Sequence, residues 1–399
     1  MAPEHRVLLW MCVLVGVNQL GFGAMVPSLP LYAQSFGVSA SAIGLAVAVY
    51  GLARFVIAVP SGKLADVLGR RPTLALGGLI SAIGNLWCAW ATSYPEFIVA
   101  RFVAGAGAGL IVTTGQVVLA DITTPATRGR TISIYQATFI FAVGVGPFPG
   151  GILAEAFGLS APFTAYGFAS LLAMIVAWFA ISETRDISRM KRAKGAAELP
   201  SFLTQVRLLT ARLSFLLVSL ISFMNSVVRT GALFALIPLL ATDVLGLSVS
   251  AVGFAMMMGS VSGLVAAYPS GWLADRYGRK TVIVPSTVMA GASMALFCYA
   301  PSYPWFVAAS IAWGVAISIG AAAPAAYAAD SAPEGMNAAA VSTFRMMGDA
   351  GYMLGPLALG LVADLYGSVT AIMISAVLMA LVGIAFGLFA VETYAGGRR

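Results

Sequence analysis

Apolar residues along this chain gather into long runs, broken by short clusters of charged and turn-forming residues. The runs do not alternate polar and apolar positions, and they are apolar on all sides rather than on one stripe. Such segments predict helices, each long enough to cross a hydrocarbon core of about 30 Å. A β-barrel is excluded, because barrel strands alternate. Reading between the clusters places spans near 7–32, 40–61, 72–92, 96–120, 131–155 and 161–181, then 213–242, 248–270, 281–300, 303–329, 338–363 and 367–391. That is twelve, in two sets of six, with about 33 residues per span and loop. The fold class expected is an all-α membrane protein of twelve transmembrane helices in two parallel six-helix bundles.

Composition agrees. Of 399 residues 60% are apolar and only 9% charged, against about 25% charged in soluble domains. Such a chain lacks the polar residues to cover a soluble surface. The basic residues then set orientation. Of the 22 Lys and Arg, four (Arg54, Arg101, Arg229, Arg345) lie inside spans, and the others fall at one set of loops and termini, from Arg6 and Lys63 to Arg398 and Arg399. The opposite loops hold Glu96, Asp243 and Asp364 near span ends. The positive-inside rule therefore predicts cytoplasmic termini in a cell inner (plasma) membrane. This asymmetry accounts for the net charge of +7, so nucleic acid is not an expected partner; the lipid bilayer is. The first apolar run passes through Pro27-Ser-Leu-Pro30 with no short signal-type core, and its removal would leave an odd span count. Cys12, Cys88 and Cys298 lie in spans, without disulfide or metal spacing.

The chain repeats itself. Pro60-Ser-Gly-Lys-Leu-Ala-Asp-Val-Leu-Gly-Arg-Arg71 recurs as Pro269-Ser-Gly-Trp-Leu-Ala-Asp-Arg-Tyr-Gly-Arg-Lys280 at an offset of 209 residues. In the same register Ser39 and Gly44 match Ser248 and Gly253, Ala120-Asp121 match Ala329-Asp330, Gly146-Pro147 match Gly355-Pro356, and Gly151 matches Gly360. The expected organisation is residues 1–181 as one six-helix bundle, 182–212 as a charged cytoplasmic linker that also suits anionic lipid, and 213–399 as the second bundle. Parallel six-span repeats imply a site near the membrane midplane between the halves, opened alternately to each side.

The segment Gly62-Lys-Leu-Ala-Asp66-Val-Leu-Gly69-Arg70-Arg71 resembles the signature between spans 2 and 3 of the major facilitator superfamily, and Gly271–Lys280 resembles its second copy between spans 8 and 9. Glycines there permit tight packing and turning, and an aspartate among basic residues accepts charge-assisted hydrogen bonds. Gly62, Asp66, Gly69, Arg70 and Arg71, with Gly271, Asp275, Gly278 and Arg279, are thus expected to form conformational latches; a solvated basic turn that only sets topology is the plainer alternative. Arg101-Phe-Val-Ala-Gly105-Ala-Gly107 in span 4 resembles the family's R-x-x-x-G-x-G motif, whose arginine is assigned to proton or substrate movement. An arginine near a span end also snorkels to the interface. Gly146-Pro147-Phe-Pro-Gly150-Gly151 in span 5 resembles the motif of the family's drug:proton antiporters, which points to export, although a packing kink has the same look. The resemblance covers essentially the whole chain, implies a monomer, and calls for no cofactor.

Ionisable residues inside spans are functional candidates. Asp349 lies four residues after Arg345, close enough along a helix for the two to neutralise each other. It is the sole carboxylate deep in a span, which makes Asp349 the first candidate for carrying a coupling proton, with Arg345, Arg101 and Asp121 beside it and Asp330 and Glu155 as weaker candidates. The family's cavity architecture assigns Asn18, Gln19, Phe22, Arg54, Gln116, Tyr135, Gln136, Phe139, Asn225, Arg229 and Phe344 to the substrate cavity, with Phe141 as a further apolar wall. Four arginines against one aspartate inside the spans favour a neutral or anionic small molecule over a lipophilic cation. Uptake symport or uniport of a small polar metabolite or sugar is the rival within transport. The chain holds no His- or Cys-rich metal cluster, no phosphate-binding glycine loop and no nucleophile elbow, and its one histidine, His5, is in the tail. An enzyme is not expected.

Overall fold

A computed structural model of the chain describes residues 3–123, 127–185, 202–333 and 336–393. Its elements are helical: α1 (Pro3–Met25), α2 (Leu29–Gln34), α3 (Ala40–Leu68), α4 (Arg70–Trp90), α5 (Tyr94–Ile122), α6 (Arg128–Val145), α7 (Pro147–Phe157), α8 (Ala161–Ala180), α9 (Phe202–Thr210), α10 (Leu213–Val227), a π-helical stretch Val228–Leu236, α11 (Ile237–Asp243), α12 (Val249–Tyr277), α13 (Lys280–Cys298), α14 (Tyr303–Asp330), α15 (Asn337–Tyr366) and α16 (Ser368–Phe389). Among the described residues 12 stretches are long and apolar enough to cross a membrane. The all-α, twelve-span architecture read from the pattern is present.

Three boundaries differ from the sequence reading, each for a backbone reason. The first span stops at Met25 rather than 32, because Pro27 and Pro30 break the run and Pro30 opens the short helix α2. Spans 2 and 8 run on to Leu68 and Tyr277. A helix satisfies its own backbone, so it continues past the apolar stretch into polar residues such as Lys63 and Asp66. The signature taken for a loop is helix almost throughout, and the turn narrows to Gly69 at φ +106° in the first copy and to Gly278, at φ +96°, with Arg279 in the second. Only glycine holds that left-handed conformation at no steric cost. Span 7 is composite, with the nine-residue π stretch between α10 and α11; such segments cluster at functional places in helices.

The described chain divides into two compact units. The first holds Met1–Val38, Leu45–Ala197 and Ser248–Phe254; the second holds Ser39–Gly44, Glu198–Leu247 and Ala255–Arg399. Residues 186–201 of the expected linker lie outside the described residues. The first unit packs Met11, Leu14, Leu74, Ile111, Val118 and Ala173 into one core. The second packs Phe215, Val218, Ile221, Ile283, Tyr327 and Phe386. Lipid offers helices no hydrophobic drive to associate, so close backbone approach carries the packing. In the first unit α4 and α5 cross where a Cβ at Gly84 would overlap the Ala104 backbone.

Candidate functional site

At the α3–α4 junction the turn at Gly69 brings Arg70 back under α3. Its side chain is almost wholly buried. Nε donates to Asp121 Oδ2 at 2.9 Å, while Nη1 meets Asp66 at 2.9 Å and the Ala65 carbonyl at 3.0 Å. Thr184 Oγ1 donates to the same Asp121 oxygen at 3.0 Å. A buried guanidinium needs its fork filled by acceptors, and Asp66, Asp121 and Ala65 fill it. Asp121, expected among the proton-coupling residues, is here the buried ion-pair partner of Arg70. Glu183, just past α8, closes the arrangement by accepting from the backbone N–H groups of Arg70 at 2.9 Å and Arg71 at 3.1 Å, the opening donors of α4. Arg71 itself lies over the Trp178 ring, 5.0 Å from its centroid. The expected close packing at Gly62 is not made, since a Cβ there would meet nothing within 4 Å.

The second repeat rebuilds the same junction. Arg279 pairs with Asp330 at 3.0 Å, in a more exposed setting than Arg70–Asp121. Glu392 accepts from the backbone N–H of Arg279 at 3.2 Å and of Lys280 at 2.9 Å. Gly271 lies within α12, and the side chain of Asp275 lies outside the described residues. Sequence reasoning missed Glu183 and Glu392, although they too stand one repeat offset apart and each is followed by a threonine.

The span 5 motif forms a break between α6 and α7 at Gly146-Pro147. Its glycines face α1 backbone to backbone: a Cβ at Gly146 would lie 2.6 Å from the Leu20 carbonyl oxygen, and one at Gly150 would overlap the Ala24 carbonyl. Gly151 takes the same close position against Ser250 within the first unit.

Arg101 sits inside the first unit, 1% exposed, so it does not snorkel. It donates through Nε to the Ala46 carbonyl at 3.1 Å and lies 4.5 Å above the Tyr50 ring. Tyr50 and Tyr166 join hydroxyls at 3.0 Å, and Phe22 packs against both rings. Around them Asn18 Nδ2 reaches Ser170 Oγ at 3.5 Å, and Asn85 donates to the Ser81 carbonyl at 2.7 Å. Of the expected cavity residues, Asn18, Gln19, Phe22 and Tyr135 are thus buried within this unit. Arg54, Gln116, Gln136 and Phe139 are half-buried, and Phe141 is exposed.

In the second unit Asn225 and Phe344 are half-buried, while Arg229, Arg345 and Asp349 are exposed. These three lie mid-span in sequence, and their side chains reach the surface of the unit. Among the described residues Asp349 makes no hydrogen bond or ion pair, so the expected Arg345–Asp349 neutralisation is not formed. Thr230 Oγ1 in the π stretch reaches the Tyr352 carbonyl at 3.4 Å, which ties Arg229's turn to the helix that carries Arg345 and Asp349. An apolar groove of about 450 Å³ in this unit, lined by Leu273, Tyr277, Pro285, Met289 and Ile319, contains none of the expected site residues.

Twelve membrane-spanning helices made from one six-span unit used twice, with the same charged junction in each copy, define a solute transporter. The chain belongs to the Major Facilitator Superfamily, whose family pattern matches residues 11–230 and 218–399. It is a multi-pass secondary transporter of small molecules, not an enzyme. It is 24% identical over 367 residues to an uncharacterised MFS-type transporter of Methanocaldococcus jannaschii, covering 92% of this chain and 94% of the relative. Multidrug resistance protein 2 of Bacillus subtilis is 25% identical, over 47% of either chain. Quinolone resistance protein NorA of Staphylococcus aureus is 27% identical over 39% of this chain and 40% of its own. The chain thus spans less than half of these two drug-resistance proteins. The same fold occurs in the human organic anion transporter MFSD10 (TM-score 0.66, 17% identity, covering 97% of this chain and 100% of that one). It occurs also in a bacterial homologue of the lysosomal transporter Spinster (TM-score 0.78, 15% identity, covering 97% and 96%).

Proposed function

We propose that the chain is a proton-coupled exporter that moves small, drug-like, neutral or anionic molecules out of the cell in exchange for protons by alternating access. In this reading it works as a monomer in the cell inner (plasma) membrane, with both termini cytoplasmic. Residues 1–181 and 213–399 are its two halves, and 182–212 is the linker. The observation that carries the reading is the span 5 motif. Gly146, Pro147, Gly150 and Gly151 resemble the antiporter motif, and Gly146 and Gly150 make a glycine-to-backbone seam on α1. The partial likeness to two drug-resistance proteins supports the same direction.

Charge supports the substrate class. Arg229 and Arg345 are mid-span and exposed, and a cation facing hydrocarbon costs about 2.5–3.5 kcal/mol even on insertion scales. Such side chains turn instead to a water-filled passage, where they attract anions. Asp349 shares α15 with Arg345 and carries the coupling proton in this scheme, with Arg101 organising the polar interior of the first unit.

Proton release from inside-out vesicles tests the proposal. With an imposed pH gradient, acid inside, a panel of cationic, neutral and anionic compounds is added to wild type and Asp349→Asn. Antiport requires that a neutral or anionic compound collapse the gradient in wild type, and that Asp349→Asn abolish the effect. A purely cationic profile overturns the charge argument. Equal exchange by the mutant removes Asp349 from coupling, and proton-coupled release of preloaded compound from the lumen, rather than its accumulation there, makes the protein an uptake symporter.

A further inference from the structure

At the ends of the helices away from the basic junctions, two carboxylates do a duplicated and unassigned job. Asp364, in the last turn of α15, accepts from the backbone N–H of Ala40 through Oδ1 at 2.7 Å and of Ser41 through Oδ2 at 3.0 Å. Glu155, in the last turn of α7, accepts from the backbone N–H of Ser250 through Oε1 at 2.8 Å. The two acids stand one repeat offset apart, and so do their targets, Ser41 and Ser250. Each target is the start of a 29-residue span, α3 or α12. The pairing is exchanged. The carboxylate from the first repeat holds a helix of the second, and the reverse, and each pair lies within one compact unit, because Ser39–Gly44 belong with Asp364 and Ser248–Phe254 with Glu155.

Placement argues that this is not incidental. An acid in the last turn of a helix opposes its own helix dipole. Both repeats nonetheless carry one there, and both direct it at the N-terminal end of another helix, where opening N–H groups lack intrahelical acceptors and a negative charge is favoured. About one turn further along, a Cβ at Gly44 would overlap the Pro356 carbonyl and one at Gly253 the Pro147 carbonyl, so the gripped helices are seated on proline-bearing segments of the helices that grip them.

We infer that Asp364 and Glu155 are paired conformational locks, each carboxylate holding the first turn of a span from the other repeat, and that both grips must break for the transporter to open at this end. The inference is independent of substrate, direction and coupling ion.

The full-length protein in lipid nanodiscs tests it, with Cys12, Cys88 and Cys298 replaced by alanine and spin labels at the exposed positions Ser93 and Ser302, on the loops before α5 and α14. The double variant Glu155→Gln, Asp364→Asn is expected to shift the label–label distance distribution toward longer separations, with the ratio of long to short populations rising on the order of tenfold. The charge-keeping variant Glu155→Asp is expected to stay near wild type. A double-variant distribution that superimposes on wild type overturns the proposal. Should the double variant fail to give monodisperse protein, amide hydrogen exchange on the single variants decides: about tenfold faster exchange at Ala40 and Ser41 in Asp364→Asn, and at Ser250 in Glu155→Gln, supports the locks, and unchanged exchange overturns them.

Discussion

Arg70 and Asp121, 51 residues apart in the chain, meet through a 2.9 Å bond from Nε to Oδ2, with side chains only 2% and 7% exposed. Asp66 meets the same guanidinium at an equal distance but is 40% exposed. One arginine thus holds two carboxylates at equal range and unequal depth, and depth decides which of them matters for stability.

Asp121→Asn leaves a buried cation short of a charge partner, a loss of about 3 kcal/mol. Asp66→Asn removes a solvent-screened partner and is expected to cost under about 1 kcal/mol. Thermal unfolding in detergent should show a clearly larger drop in Tm for Asp121→Asn; equal drops would mean the buried pair is not the stronger one.

Gly62 in α3 and Gly150 in α7 predict opposite signs. A methyl at Gly62 meets open space, and alanine in a helix interior gains about 0.5–1 kcal/mol over glycine, so Gly62→Ala should hold or raise Tm. A methyl at Gly150 overlaps the Ala24 carbonyl, so Gly150→Ala must push α7 off α1, at about 1–3 kcal/mol. Both are read from the same melting curves.

Glu183→Ala and Glu392→Ala each strip the carboxylate that receives the opening N–H groups of α4 and α13. Losing such a cap costs about 1 kcal/mol. Amide exchange at Arg71 and Lys280 should accelerate in the corresponding variant alone; acceleration at neither site would remove these glutamates from the helix starts.

Tyr50 stabilises Arg101 through its ring and Tyr166 through its hydroxyl. Tyr50→Phe keeps the ring and should cost about 1 kcal/mol for the lost hydrogen bond. Tyr50→Leu loses the cation–π contact as well, worth a further 1–2 kcal/mol or so when desolvated. If the two variants melt together, the ring does nothing for the arginine.

How much of this was legible in the sequence depends on the range of each interaction. Apolar run length and basic-loop asymmetry are local or additive along the chain, so the twelve helices could be counted without coordinates. The repeat offset located both junction signatures, because register survives translation of a whole motif. Helix ends were less legible: polar residues at Lys63 and Asp66 looked like a loop, yet a helix needs no apolar surroundings to keep its own hydrogen bonds, and the turn narrowed to Gly69.

Partner choice was not legible. Asp121 looked like a coupling carboxylate near a span end, and only the fold of α4 against α5 delivers Arg70 to it. Glu183 and Glu392 looked like linker and tail residues until helix starts came within reach of them. Asp349 and Arg345, four apart, looked like a pair, and the structure does not bring them together. In spans apolar on every side, hydrophobic periodicity carries no record of which face is inside, so burial of Arg101 and exposure of Arg229 had to come from packing. The sequence by itself determined the number of helices, their membrane-spanning length and their two-fold repetition, because those follow from hydrophobicity and backbone self-satisfaction. The tertiary structure decided which charges meet, because a salt bridge depends on distances of a few ångströms between helices that the chain separates by 50 residues or more.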